Sequence, residues 1–347
     1  MVGEYSIEEL DALDDDVLKQ IDWKSCGCLN GRLLELHAEG ALGNESQAKL
    51  PLKPILCIDQ ISRIDEEGIE ASFTFPQEPA DWPYKSSESL EMLFQDQLDQ
   101  LVGFWAARKA EGVGRALSSG KCRQLQSLDF KAGKKIKFSM QRRKWVENQE
   151  TGTATAVFNG QILDEQEDLI LDTKNVIVGI LPPAEIVALR DRFGGTLGAD
   201  KNDETPHSLE IPLYEIDTVK IEKNGSTVSR VSATQQINPE LWPLRFHFRD
   251  DPVVPGNFGT HGMIALLKRV AQQEFNMANP RFDSIASKRF SGMIFEDPKQ
   301  IRFELLDVVK DEENSLVASV ANLYLESTDG ERLIENPIYT YKEIRVN

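Results

Sequence analysis

The feature that most constrains this chain is a plan stated twice. Pro54-Ile55-Leu56-Cys57-Ile58-Asp59-Gln60-Ile61 returns 158 residues later as Pro212-Leu213-Tyr214-Glu215-Ile216-Asp217-Thr218-Val219. Glu78-Pro79-Ala80-Asp81-Trp82-Pro83 returns 160 residues on as Asn238-Pro239-Glu240-Leu241-Trp242-Pro243. A repeat of this length in a chain of 347 residues reads as two related domains. In each copy the Trp is followed by a loop and then by one helical stretch. Ser89 to Ala110 places Leu90, Leu93, Phe94, Leu98, Leu101, Val102 and Trp105 at three- and four-residue spacing, and Phe258 to Ala278 does the same with Met263, Ile264, Leu266, Leu267 and Val270. Beyond each helix the period drops to two, as in Lys135 to Met140 and Leu316 to Leu325. Turn signals (Asn159-Gly160, Asn224-Gly225, Asp329-Gly330) separate these runs.

A helix this apolar has to be covered, and an antiparallel sheet curled around it is the economical cover. The expected fold is therefore α+β, a double hot dog: two antiparallel sheets, each wrapped around a long central helix, paired as a pseudo-dimer that one chain completes by itself. The expected layout is an acidic extension over 1–49 with an amphipathic piece near Ile7 to Leu18, a first hot dog over 50–183, a linker over 184–208, and a second hot dog over 209–347. The 39 basic and 57 acidic side chains leave a net charge of −18, which argues against binding nucleic acid. No apolar run is long enough to span a membrane, and Met1-Val2-Gly3-Glu4 does not begin a secretory signal. Four cysteines make no disulfide framework, and Cys26-x-Cys28 alone makes no zinc site. A reduced, cytoplasmic protein without metal or organic cofactor is expected.

One segment narrows the reading. His247-Phe248-Arg249-Asp250-Asp251-Pro252-Val253-Val254-Pro255-Gly256 resembles the catalytic segment of the bacterial 3-hydroxydecanoyl-ACP dehydratase/isomerase family, which has the hot-dog fold. Asp96-Gln97-Leu98-Asp99-Gln100-Leu101-Val102-Gly103-Phe104-Trp105 resembles that family's helix, with its Asp-x-x-x-Gln motif ahead of Leu-Val-Gly-Phe. Gly114-Arg115-Ala116-Leu117, Asn175 to Leu181 and Tyr5 to Leu10 are similar to further family segments.

The departures say more than the matches. In the family one hot dog carries a His before the helix and, fourteen residues on, an Asp on it; two protomers pair, and each site takes one residue from each. Here the position fourteen after His247 is His261, and no Asp stands between Pro252 and Phe282. The position fourteen before Asp96 is Trp82, and the four histidines (His37, His207, His247, His261) leave none in the first hot dog. The two halves are complementary: one live site built from Asp96 and His247, and one vestigial site at Trp82 and His261. Fused pairs of this kind resemble the dehydratase domains of polyunsaturated fatty acid synthases and related polyketide systems.

The resemblance implies a (3R)-hydroxyacyl-ACP dehydratase forming 2-enoyl thioesters, and leaves open whether the chain also carries out 2,3-isomerisation. Its partner would be an acyl carrier protein bearing a phosphopantetheine-linked 3-hydroxyacyl chain. His247 would take the C2 proton and Asp96 would serve the departing hydroxyl. The Gly256 N–H, at a helix start, would hold the thioester oxygen. By resemblance the Val253 carbonyl would fix the His247 tautomer and Gln100 would orient Asp96 or a water. A non-catalytic carrier-binding scaffold and a hot-dog thioesterase are the alternatives. Finally, Lys131 to Lys144 holds seven basic residues and no acidic one; its Arg142, Arg143 and Lys144 match the family's basic strand and are candidates for docking an acidic carrier, against the plain reading of a solvated strand face.

Overall fold

The computed structural model describes residues 5–42, 55–78, 87–109, 113–129, 131–148, 150–193, 219–225, 227–237, 247, 253–295 and 300–347. Its first half runs β1 (Gln60–Ile64), β2 (Gly68–Thr74), a helix Ser87–Lys109, β3 (Val113–Ser119), β4 (Cys122–Gln124), β5 (Lys135–Asn148), β6 (Thr153–Leu163) and β7 (Leu169–Leu181). The second runs β8 (Lys220–Asn224), β9 (Thr227–Gln236), a helix Gly256–Phe275, β10 (Phe282–Phe290), β11 (Gln300–Lys310), β12 (Leu316–Glu326) and β13 (Tyr339–Val346). Three short helices precede them, α1 (Ile7–Asp11), α2 (Asp15–Leu18) and α3 (Gly31–Ala38), so the first long helix is α4; α5 (Pro183–Phe193) lies between the halves, and the second long helix is α6.

Strand order carries the repeat. The first half pairs as β1-β2-β5-β6-β7-β3 and the second as β8-β9-β11-β12-β13-β10, the same permutation of equivalent strands, and all pairings are antiparallel. The two sheets join edge to edge where β10 meets β3, with Lys288 opposite Ser119 and Arg289 opposite Ser118; β4 bridges β7 and β10 alongside. Each sheet wraps its own helix: α4 contacts β2, β3, β5, β6 and β7, while α6 contacts β10 to β13. The fold is a double hot dog.

Composition explains the wrap. Leu90, Met92, Leu93, Phe94, Leu98, Leu101, Val102, Phe104, Trp105 and Ala106 of α4 are all buried, which leaves that helix almost no face for water. Phe94 meets Phe73 and Phe138 edge-on, and Trp105 meets Phe158 and Trp145 in the same way. The sheet comes closest where two glycines face each other. A Cβ on Gly114 would lie 2.7 Å from the Gly103 Cα, so β3 reaches the α4 backbone there only because Gly114 has no side chain. α6 begins at Pro255 as N-cap and ends at Asn276, which takes the left-handed conformation (φ 52°).

Three details depart from the pattern in the sequence. The N-terminal extension is a packed cap on the first hot dog rather than one amphipathic piece: Leu10, Leu18, Trp23 and Leu33 are buried, Trp23 stacks on Phe104 at 4.6 Å between ring centroids, and Leu29 bridges to Ile61. The segment expected as a linker opens with α5, whose Arg190 guanidinium sits 5.2 Å from the Phe295 ring; residues 194–208 lie outside the described residues. β12 alternates only in its first half. From Ala321 to Glu326 both faces are buried, because Arg332 covers Tyr324 and Glu326 pairs with Arg302 on the outer side.

Candidate functional site

Asp96 lies mid-way along α4, on the stretch the first sheet encloses, and is 3% exposed. His247 comes from the segment preceding α6 and is 5% exposed. The two meet between the halves, with His247 Nε2 4.0 Å from Asp96 Oδ2. The residues between His247 and α6 are pinned by the second sheet's own loops: Val253 bridges to Phe295, and the Val254 N–H donates to the Ile294 carbonyl at 2.9 Å.

Hydrogen-bond chemistry fixes the imidazole. Its Nδ1 is 2.8 Å from the Val253 carbonyl, which can only accept, so Nδ1 carries the proton. Nε2 is then the lone pair, and it accepts from the Gln100 amide at 2.8 Å. The same Gln100 nitrogen lies 3.5 Å from Asp96 Oδ2, so one amide faces both groups. At the start of α6, Gly256 has no intrahelical partner for its N–H, and the Phe290 ring lies 3.3 Å from where a Cβ would stand.

Burial decides the charge states. Desolvation pushes the Asp96 carboxyl up from 3.8 to about 7, aided by the neighbouring Asp99 carboxylate and opposed by amides of Gln100 and Asn257 and by the Lys288 ammonium. Desolvation also pulls the His247 imidazole down from 6.5 to about 4, against its bond to Val253. At neutral pH the site is a neutral imidazole facing a carboxyl group poised to hold or release a proton, not an ion pair. A proton acceptor and a proton donor of this kind, held together out of water, are equipped for general acid–base chemistry.

Of the residues singled out in the sequence, Asp96, Gln100, His247 and Val253 meet in this one constellation, and Gly256 stands at the start of α6. His261 is elsewhere on α6, 3% exposed, with no hydrogen-bond partner for its Nε2 among the described residues and its pKa driven well below the usual imidazole value by desolvation and by Lys268 and Lys288. Trp82, the other half of the expected vestigial site, lies outside the described residues. Arg142, Arg143 and Lys144 are on β5, where a register shift between Arg142 and Lys144 leaves both Arg143 and Lys144 exposed. Arg142 lies 3.9 Å from Glu66 and over the Trp105 ring, while Arg143 and Lys144 make no ion pair among the described residues. Lys134 and Lys137 of the same basic run are already paired with Glu165 and Glu167.

Three further residues stand beside the pair: Asp99 on α4, Asn257 on α6 and Lys288 on β10. The Asn257 amide donates to Asp99 at 3.0 Å and accepts from Lys288 at 2.8 Å. Asp99 sits on the same helix as Asp96, but its one-residue step off the apolar rows reads as a solvated polar position. Lys288 had no signal at all, because the register of β10 against β3 is a long-range fact. The four cysteines are buried and unbridged, with Cys26 and Cys122 thiols pushed up to about 11 by burial. No cluster of metal-ligating side chains and no helix long and apolar enough to cross a membrane exists among the described residues.

Residues 211–335 match the FabA-like domain. Among solved structures, the chain is similar to the dehydratase domain of PpsC from Mycobacterium tuberculosis in complex with C12:1-CoA, at 11% identity and a TM-score of 0.45 over 85% of this chain and 98% of that one. It is similar to the dehydratase domain of RzxB from Pseudomonas fluorescens at 10% identity and a TM-score of 0.43, over 85% and 98%. The tesB protein MAP1729c of Mycobacterium avium subs paratuberculosis follows at 12% identity and a TM-score of 0.44, over 82% and 94%.

Proposed function

We propose that this protein is a (3R)-hydroxyacyl thioester dehydratase with a single composite site, Asp96 from the first hot dog and His247 from the second. The observation that carries the reading is the pairing of a neutral imidazole with a carboxyl group whose pKa is about 7, 4.0 Å apart and both out of water. Removing water from a 3-hydroxyacyl thioester needs a base at C2 and an acid at the C3 hydroxyl. His247 Nε2, freed when substrate displaces the Gln100 amide, takes the C2 proton. The electron pair of that bond becomes the second bond of the alkene as the C3–O bond breaks. Asp96 gives its proton to the departing hydroxyl, which leaves as water. The site ends as imidazolium and carboxylate, and a proton passing back from His247 to Asp96 restores it. Negative charge developing on the thioester oxygen would meet the Gly256 N–H at the start of α6.

The thioester in this reading is carried on the phosphopantetheine arm of an acyl carrier protein, for which Arg143 and Lys144, with Arg142, form the docking strand. The test is intact-mass spectrometry of a 3-hydroxyacyl carrier protein incubated with the chain, recording also the ratio of 2- to 3-enoyl product. Loss of one water supports the reading. Loss of the whole acyl group would make the protein a thioesterase, and an unchanged carrier over a series of chain lengths would make it a binding scaffold.

A further inference from the structure

A buried ammonium stands behind the acid. Lys288 is on β10, at the seam where the second sheet joins the first, and its side chain is 6% exposed. An ammonium in such a place is costly unless paired and hydrogen-bonded. Its Nζ donates to Asn257 Oδ1 at 2.8 Å and lies 3.7 Å from Asp99 Oδ2. Asn257, 1% exposed, donates from Nδ2 to that same Asp99 oxygen at 3.0 Å. An ammonium only donates and a carboxylate only accepts, so the amide can sit just one way round. Its oxygen faces β10 and its NH2 faces α4, on the Asp99 carboxylate one turn from Asp96.

Among the described residues, few polar groups are packed around Asp96. From α4 come Asp99 and Gln100, from the segment before α6 His247, from α6 Asn257, and from β10 Lys288. Around Lys288 lie Cys122 of β4, the Phe290 ring at 5.3 Å and, on α6, His261. Burial keeps the Cys122 thiol and both histidines neutral at pH 7. Among the described residues, the charges left to act on Asp96 are one anion, Asp99, and one cation, Lys288, and they belong to each other. A buried pair of this sort stabilises a fold weakly, since apolar residues of the same volume do as well or better.

We propose that Asp99 and Lys288 are positioning residues for the acid, opposed charges from α4 and β10 that, coupled through Asn257, set the pH range over which Asp96 keeps its proton. The proposal rests on the reading of Asp96 as the acid, yet its electrostatic core can be measured without substrate. Asp99→Asn removes the repelling charge and Lys288→Met the attracting one, each at nearly constant volume. The Asp96 carboxyl is titrated by isotope-edited infrared spectroscopy, with Asp96→Asn as the blank. Asp99→Asn should titrate about one pH unit lower than the parent, and Lys288→Met about one unit higher. The double variant should return near the parent, and Lys288→Arg, which keeps the charge, should stay there. Should Lys288→Met fail to fold, Asp99→Asn and Lys288→Arg still decide the matter. Unmoved titrations, or shifts of the same sign in both single variants, would overturn the proposal.

The basic limb of kcat/KM for dehydration should then follow the same order, because activity requires the protonated acid. If the titrations move as stated while no variant and no parent removes water, the charge coupling holds and the dehydratase reading fails.

Discussion

Asp96→Asn should inactivate the protein and stabilise it at once, and the stabilisation should depend on pH in a way the structure dictates. Unfolded, the carboxyl ionises near its ordinary 3.8; folded, burial holds it to about 7. As pH rises between those values, the unfolded chain gives up its proton and the folded one does not, so stability falls across this window and levels off above it. Three pH units at about 1.36 kcal/mol each put the full cost at about 4 kcal/mol, an upper bound because any relaxation around the ionised group reduces it. Asn has the same shape and no charge to desolvate, so the variant escapes this cost. Any penalty for fitting an amide beside Gln100 and Asn257 is independent of pH and drops out of the comparison. Urea unfolding at pH 4, 5.5 and 8 should therefore show a variant-minus-parent stability that grows by a few kcal/mol from the first to the last. A difference that is flat across these three pH values would refute a carboxyl held protonated by burial.

The histidines give the opposite slope. His37 and His247 are held down to about 4 and His261 lower still, so on acidification the unfolded chain binds protons from about pH 6.5 while the folded one refuses them. Each contributes stability that is present above pH 6.5 and lost towards pH 4, up to about 3 kcal/mol apiece, which outweighs the relief at Asp96. The urea midpoint of the parent should fall between pH 7.5 and 5; a midpoint that holds or rises would mean that these imidazoles reach solvent. Replacing Arg142, Arg143 and Lys144 together with Glu should slow turnover of a carrier-bound substrate several-fold, more at low salt, and spare a short pantetheine thioester. Equal losses on both substrates would remove the docking role.

What was legible in the sequence follows from how local each signal is. The encircled helix could be read because Leu93, Phe94, Leu98, Leu101 and Trp105 declare their face within a few turns. The strand repeat could be read because alternation in Lys135 to Met140 is a two-residue signal. The cap formed by α1 to α3 could not, since its buried residues (Leu10, Trp23, Leu33) are spread over pieces too short to show a period. Asp96, Gln100, Val253, His247 and Gly256 stood in two motifs, and complementary loss in the halves pointed to one site. Lys288 and Asn257 lay in neither, and only the meeting of β10 with β3 brings that ammonium to α4. The outer face of β12 was missed for the same reason: Arg302 and Arg332, which cover it, come from different stretches of chain.

The central claim is that one residue from each half removes water and that the mirror position does not. It is tested most directly by the carrier mass assay run in parallel on the parent, Asp96→Asn, His247→Ala, the double variant and His261→Ala. The parent and His261→Ala should both lose water, within about a factor of ten of each other in rate, since a residue outside the reacting site acts only through packing. Asp96→Asn and His247→Ala should each fall by about 10²–10⁴-fold, and the double variant should be scarcely slower than the worse single one, because the two groups act as a unit. An Asp96→Asn variant at full rate, or a His261→Ala variant as slow as His247→Ala, would contradict the account.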